Sequence, residues 1–120
     1  MLDLGKQIRE WCREYGITDD VIYPSYHWID EHTLGITYFK HDIVQCRICN
    51  IRITDVFKDY ELASKSVLWH EFCHAEVWIK EGKTDGHGSA WNGRLWRKPI
   101  LFILDYIYTQ ILFAIVKNRH

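Results

Sequence analysis

The feature that most constrains this chain is the pattern H-E-x-x-H at positions 70–74, inside a segment with helical periodicity. Residues four apart lie on one face of an α-helix, so the imidazoles of His70 and His74 can converge on one metal ion. Glu71 lies about 100° around the helix from His70. From there its carboxylate is poorly placed to be a ligand, but it can contact a water molecule bound to the ion. The pattern therefore predicts a zinc-binding helix that carries two ligands and a general base.

A catalytic zinc needs a third protein ligand beside its water. A histidine six residues after the motif would be one common arrangement, but position 80 is a lysine. A glutamate on a following helix would be another, but no glutamate occurs after position 81. The ligands that remain downstream are Asp85, His87, Asp105 and His120.

Of these candidates, His87 is the preferred third ligand. Glycines flank it on both sides, so the loop can turn sharply and approach the ion. Asp105 lies in an apolar helical stretch, and His120 is at a chain end that is expected to fray. Two alternatives stay open, namely Asp85 as the ligand and His87 as a solvated loop residue. If His87 binds, Asp85 becomes a candidate to orient an imidazole through its other ring nitrogen.

The order of periodic segments predicts an α+β fold of one domain spanning 1–120. Helices are expected over 4–15, 59–81 and 99–117, with a short helix from 89, and strands over 21–28, 34–39 and 43–54. A slip in alternation near 49–50 suggests a bulge or a turn there. We expect a small zincin-like domain, in which an antiparallel or mixed sheet packs on the active-site helix between N-terminal and C-terminal helices.

The last helical segment is apolar but short for a membrane span, and it contains Asp105. It is expected to be amphipathic and to dock on the core or on a partner, which makes a membrane partner unfavoured. The stripe predicted to dock consists of Ile100, Leu104, Ile107, Ile111 and Ile115.

Composition adds two expectations. The net charge of −1 gives no global attraction to nucleic acid. The four cysteines do not resemble a secreted disulfide framework and the first residues do not resemble a signal peptide, so reduced thiols and a cytoplasmic location are expected. The oligomeric state is left open.

The run H-E-F-C-H-A at 70–75, followed by D-G-H-G-S-A-W at 85–91, resembles the SprT-like metallopeptidase domain, to which the Spartan proteases belong. The resemblance covers about 34–98. It implies that His70, His74 and His87 bind one zinc ion per chain and that Glu71 is the catalytic general base.

The activity that we expect is zinc-dependent hydrolysis of a peptide bond in a peptide or protein substrate, which would lie extended beside a strand edge at 50–54. One alternative is a DNA-associated protease gated by nucleic acid, and another is a non-catalytic zinc module whose site a fourth ligand closes. The nucleic-acid alternative rests on a basic and aromatic cluster of Trp91, Arg94, Trp96, Arg97 and Lys98. Candidates to stabilise the tetrahedral intermediate are His27, His32, His41, Arg94, Tyr106 and Tyr108.

Overall fold

The computed structural model describes residues 1–84 and 86–118. Within them the fold is α+β, as the sequence predicted. The elements in chain order are α1 Leu4–Tyr15, β1 Ile22–His27, β2 Gly35–His41, β3 Arg47–Thr54, α2 Glu61–Glu81, α3 Ser89–Leu95 and α4 Pro99–Asn118, with a 3-10 turn at Asp55–Phe57 before α2.

The three strands form one mixed sheet in the order β1-β3-β2. β3 is central, parallel to β1 and antiparallel to β2. The segment 50–54, expected to be an exposed edge, is therefore paired on both sides, and that expectation is wrong. The bulge or turn predicted near 49–50 is also wrong, because Cys49, Ile51 and Ile53 alternate without interruption on the buried face and the register is continuous.

α2 is the central element of the molecule, because it packs against the sheet, α1, α3 and α4. Trp69 and Phe72 of α2 are fully buried and meet Trp11 of α1, with ring centroids 5.1 and 5.5 Å from the Trp11 ring. Burying each such side chain contributes about 1.5–3 kcal/mol to stability. The helix that carries the H-E-x-x-H motif is thus held on almost every side.

α4 docks on α2 through a face that the sequence did not predict. Leu101 is buried, Asp105 contacts His70, and Tyr108 packs on Phe57 with ring centroids 5.7 Å apart. Most of the predicted stripe instead faces solvent: Ile100 is 73%, Ile107 44% and Ile111 41% exposed, whereas Leu104 is partly buried. The side chain of Ile115 lies outside the described part of the chain. No helix within the described residues is long and apolar enough to cross a membrane.

An ion-pair cluster joins α3 to α2. Glu76 of α2 is 1% exposed and lies 3.3 Å from Arg94 Nε, 2.5 Å from Arg97 Nη2 and 2.8 Å from Lys80 Nζ. Burial alone would raise the pKa of the Glu76 carboxyl, but the hydrogen bonds from Arg97 and Lys80 and their charges outweigh it and lower that pKa. The cluster ties the end of α3 to α2.

Replacing Glu76 with Gln is expected to lower the free energy of unfolding by about 2–4 kcal/mol at neutral pH, because three cations lose a shared buried counter-charge. The folded-state pKa of Glu76 is below its unfolded value near 4.5. The stabilisation is therefore present above that value and is lost as pH falls through the folded-state pKa. Urea denaturation across this pH range should show the wild-type and variant curves converging in acid.

Glu14→Gln is the matched control, because Glu14 pairs with Lys98 at 3.0 Å on the surface. Its loss should cost no more than about 1 kcal/mol. A Glu76→Gln variant as stable as Glu14→Gln at neutral pH would contradict a structural role for the cluster.

Candidate metal and catalytic site

Three imidazoles form one cluster. α2 supplies His70 and His74, and the loop before α3 supplies His87. Their candidate ligand atoms lie within 4.8 Å of one another, and the ring centroids are 5.1–5.2 Å apart. The cluster could hold a metal ion. Asp85, the alternative ligand or orienting group, lies outside the described residues.

The loop reaches the cluster by a turn at Gly86. Its φ is +66°, in the left-handed region that a side chain rarely adopts. The next residue is His87, and α3 begins two residues later at Ser89. The glycine before His87 thus has a conformational role at this turn.

Trp91 of α3 forms the wall behind the imidazoles. Its ring stacks on His87 and His74, with centroids 4.3 and 5.1 Å away, and its Nε1 donates to the carbonyl of His70 at 3.2 Å. The side chain is only 9% exposed. Trp91 therefore supports the histidine cluster and offers little surface to an external partner.

Asp105 of α4 lies against the first imidazole, with its Oδ2 2.8 Å from His70 Nδ1. Because a carboxylate only accepts, Nδ1 carries the hydrogen, which leaves Nε2 of His70 available to a metal ion. The sequence analysis did not give Asp105 this role. A charge within an apolar helix needs a partner, and that was the signal that could have found it.

The electrostatics of the cluster differ from ring to ring. Burial and the neighbouring His70 and His87 lower the pKa of His74 to about 3. Burial, helped by His70, also lowers the pKa of His87. Burial would lower the pKa of His70 too, but its hydrogen bond to Asp105 and the charge of Glu71 outweigh this and raise it. His74 and His87 are thus held neutral, which is the form that binds metals.

Glu71 is 6% exposed beside these rings. Burial raises the pKa of its carboxyl to about 6, although His70 and a hydrogen bond from Thr37 act in the opposite direction. Thr37 Oγ1 lies 3.2 Å from Glu71 Oε2 and 3.3 Å from the Glu71 carbonyl oxygen. A carboxyl with this pKa can exchange a proton near neutral pH. The sequence did not predict the contact between Thr37 and Glu71, because the two residues are 34 positions apart in the chain.

Gly35 lets β2 approach Glu71. A Cβ at this position would lie 2.9 Å from Val67 Cγ1 and 3.0 Å from Glu71 Cγ. Either contact is closer than side chains normally allow, so a larger residue would displace the strand or the helix. The start of β2 is therefore fitted to the helix at the level of the carboxylate.

The histidines and Glu71 open onto a cleft of about 350 Å³. One wall is the segment 32–35 and the other is α4 with Asp105 and Thr109. A second hollow of about 170 Å³ shares Gly35, Glu71 and His74 with the cleft and continues along Thr37 and Phe39. The two together form a groove that follows β2, which is an edge strand.

Residues 24–98 match the family model described as the SprT-like family. The chain belongs to the SprT-like family. The match covers more than half of the chain and contains the three histidines, and it is wider than the 34–98 that the resemblance suggested. No curated protein sequence matches this chain significantly.

Most of the residues proposed to stabilise an intermediate lie elsewhere in this SprT-like chain. Arg94 pairs with Glu76 and Glu81, and His41 packs edge-on against Trp78. His32 is different, because it lines the cleft with the cluster.

The basic cluster predicted as a nucleic-acid surface is largely paired within the SprT-like chain. Arg97 contacts Glu76 and lies over the Tyr15 ring at 3.8 Å, and Lys98 contacts Glu14. Trp96 is 51% exposed. A nucleic-acid partner stays a prediction.

Asp105→Asn is expected to weaken metal binding about 10–100-fold, because the carboxylate that orients His70 and fixes its tautomer is lost. Competition between the protein and a zinc chelator measures the affinity. Tyr106→Phe is the control, since Tyr106 is the next residue and is 67% exposed. Equal zinc affinity in the two variants would show that Asp105 does not position the ligand.

Proposed function

We propose that this protein is a zinc-dependent metallopeptidase in which His70, His74 and His87 bind one zinc ion and Glu71 is the general base. The observation that carries the proposal is the placement of a buried carboxyl, that of Glu71, beside three clustered imidazoles on an open cleft. Membership of the SprT-like family supports the same function.

The donor set fits zinc. Imidazole nitrogen suits this ion, and catalytic sites use three protein ligands where structural sites close with four. The cluster found among the described residues has three members. This favours a catalytic site over the alternative of a non-catalytic zinc module.

When bound, zinc supplies Lewis-acid chemistry, because it polarises a carbonyl and lowers the pKa of a coordinated water toward about 7. Glu71 accepts a proton as water attacks the scissile carbonyl carbon. It then delivers that proton to the leaving amine as the C–N bond breaks. Thr37 holds the carboxyl of Glu71 in place, and Asp105 holds the ring of His70.

The substrate that the groove fits is an extended peptide lying along β2. The backbone N–H of Thr54 donates to the Leu34 carbonyl. Hydrogen-bonded and non-hydrogen-bonded pairs alternate along an antiparallel ladder, so every second residue of β2, counted from Leu34, bonds to β3. The backbone N–H and C=O groups of Gly35, Thr37 and Phe39 therefore point to the open edge. A strand added there would bond mainly through its own backbone, with little selection by side chains.

A reducing compartment suits this chain. Its cysteines Cys12, Cys46, Cys49 and Cys73 are free thiols. We therefore infer a cytoplasmic location.

Glu71→Gln should keep zinc and lose at least about 100-fold in kcat, because the variant keeps the ligands but has no proton acceptor. Elemental analysis gives zinc per chain, and cleavage of a fluorogenic peptide gives turnover. Glu61→Gln is the control, since Glu61 lies on the same helix with its side chain 67% exposed. His87→Ala should instead lose most of the zinc. Normal turnover by zinc-replete Glu71→Gln protein would end the proposal.

N-methylation of single amides in a cleaved peptide should reduce kcat/KM at alternate positions. Each affected amide loses one hydrogen bond to β2, worth about 1 kcal/mol, or roughly a fivefold effect. Alanine substitution at the same positions is the control and should have smaller effects. Equal sensitivity at neighbouring amides would argue against an added strand.

A further inference from the structure

We propose that His32 is a further catalytic residue, which donates a hydrogen bond from its imidazole to the oxyanion of the tetrahedral intermediate. This inference rests on the proposed peptidase function. It assigns a role to a side chain that lies outside the histidine cluster yet lines the same cleft.

The position of His32 carries the proposal. The cleft is lined by His70, Glu71, His74 and His87, and His32 belongs to the wall opposite α4. A carbonyl attacked beside Glu71 develops its negative charge inside this space. A donor on this wall lies in the same cleft as that charge, whereas a residue behind the helix does not.

The loop that carries His32 is internally braced. Asp30 accepts from the His32 backbone nitrogen at 2.7 Å through Oδ1 and from Thr33 Oγ1 at 2.9 Å through Oδ2. An isolated β-bridge joins Asp30 to Thr33 across the same turn. These bonds hold the backbone of the loop at 30–33 in one conformation, and a preorganised donor requires such a fixed support.

The step balances without any further reactant. Water oxygen bonds to the carbonyl carbon, its proton passes to Glu71, and the C–N bond breaks as Glu71 returns the proton to the amine. His32 keeps its own proton throughout and only shares it in a hydrogen bond with the oxyanion. Its contribution is therefore expected in kcat, because the oxyanion exists only during the reaction.

His32→Ala should lower kcat about 100-fold, the usual effect of removing one oxyanion donor, while KM and zinc content stay near wild type. His32→Gln keeps an N–H donor and should recover part of the loss. His27→Ala is the matched control, because His27 is also an exposed histidine but lies on β1 and does not line the cleft.

Binding of a peptide phosphonate is a second measurement, and it does not require turnover. It mimics the charged tetrahedral state, so His32→Ala should weaken its binding by at least about 10-fold, as expected for a lost hydrogen bond to a charged group. Binding of the corresponding uncleavable peptide amide should not change.

The failures of the two proposals are separable. Phosphonate binding equal in wild type and His32→Ala would overturn the role of His32, whether or not the wild type is active. A rise in KM with unchanged kcat would also overturn it, by making His32 a substrate-binding residue. Zinc-replete wild type without turnover would overturn the peptidase function, and His32-dependent phosphonate binding in that protein would still support the donor.

Discussion

The burial of Glu71 beside three imidazoles is the interaction on which the rest of the structure depends. A carboxyl removed from water is stable only if its neighbours compensate for lost hydration. Here Thr37 contributes a hydrogen bond from the sheet, and His70 contributes a favourable interaction from the same helix. The same burial that destabilises the ionised form also brings its pKa to a value useful for proton transfer.

This constraint explains why α2 is enclosed on so many sides. The sheet must lie close enough for Thr37 to reach Glu71, and Gly35 removes the side chain that would prevent it. On another side Trp91 covers the imidazoles, and Asp105 arrives from α4. Each wall of the site is therefore also a wall of the core, so a substitution that loosens the packing also moves the groups of the site.

Local sequence signals predicted the elements well and their arrangement poorly. α1 begins and ends where the apolar spacing and Gly16 place it, because both signals act within a few residues. His70 and His74 were recognisable as a candidate metal-binding pair because their spacing is itself helical. Strand order was not, because nothing within 43–54 records that β1 pairs with it from the other side. The exposed edge was therefore predicted on β3, whereas the edge strand beside the cleft is β2.

The prediction of which face of α4 docks on the core was wrong for the same reason. Sorting its residues by polarity places the isoleucines inside, which is correct when a helix meets only an apolar core. This helix meets a histidine, and Asp105 accepts a hydrogen bond from His70 at 2.8 Å, which an isoleucine at that position could not do. The partner is 35 residues away, beyond the range of any periodicity.

The family match ends at residue 98, yet the carboxylate that orients His70 follows it at position 105. The residues that match the family model and the residues that enclose the proposed metal site are thus different lengths of chain. If the ion binds as proposed, a residue outside the family match sets the orientation of one of its ligands. The C-terminal helix of this chain is then a place where metal affinity can be tuned while every ligand stays the same.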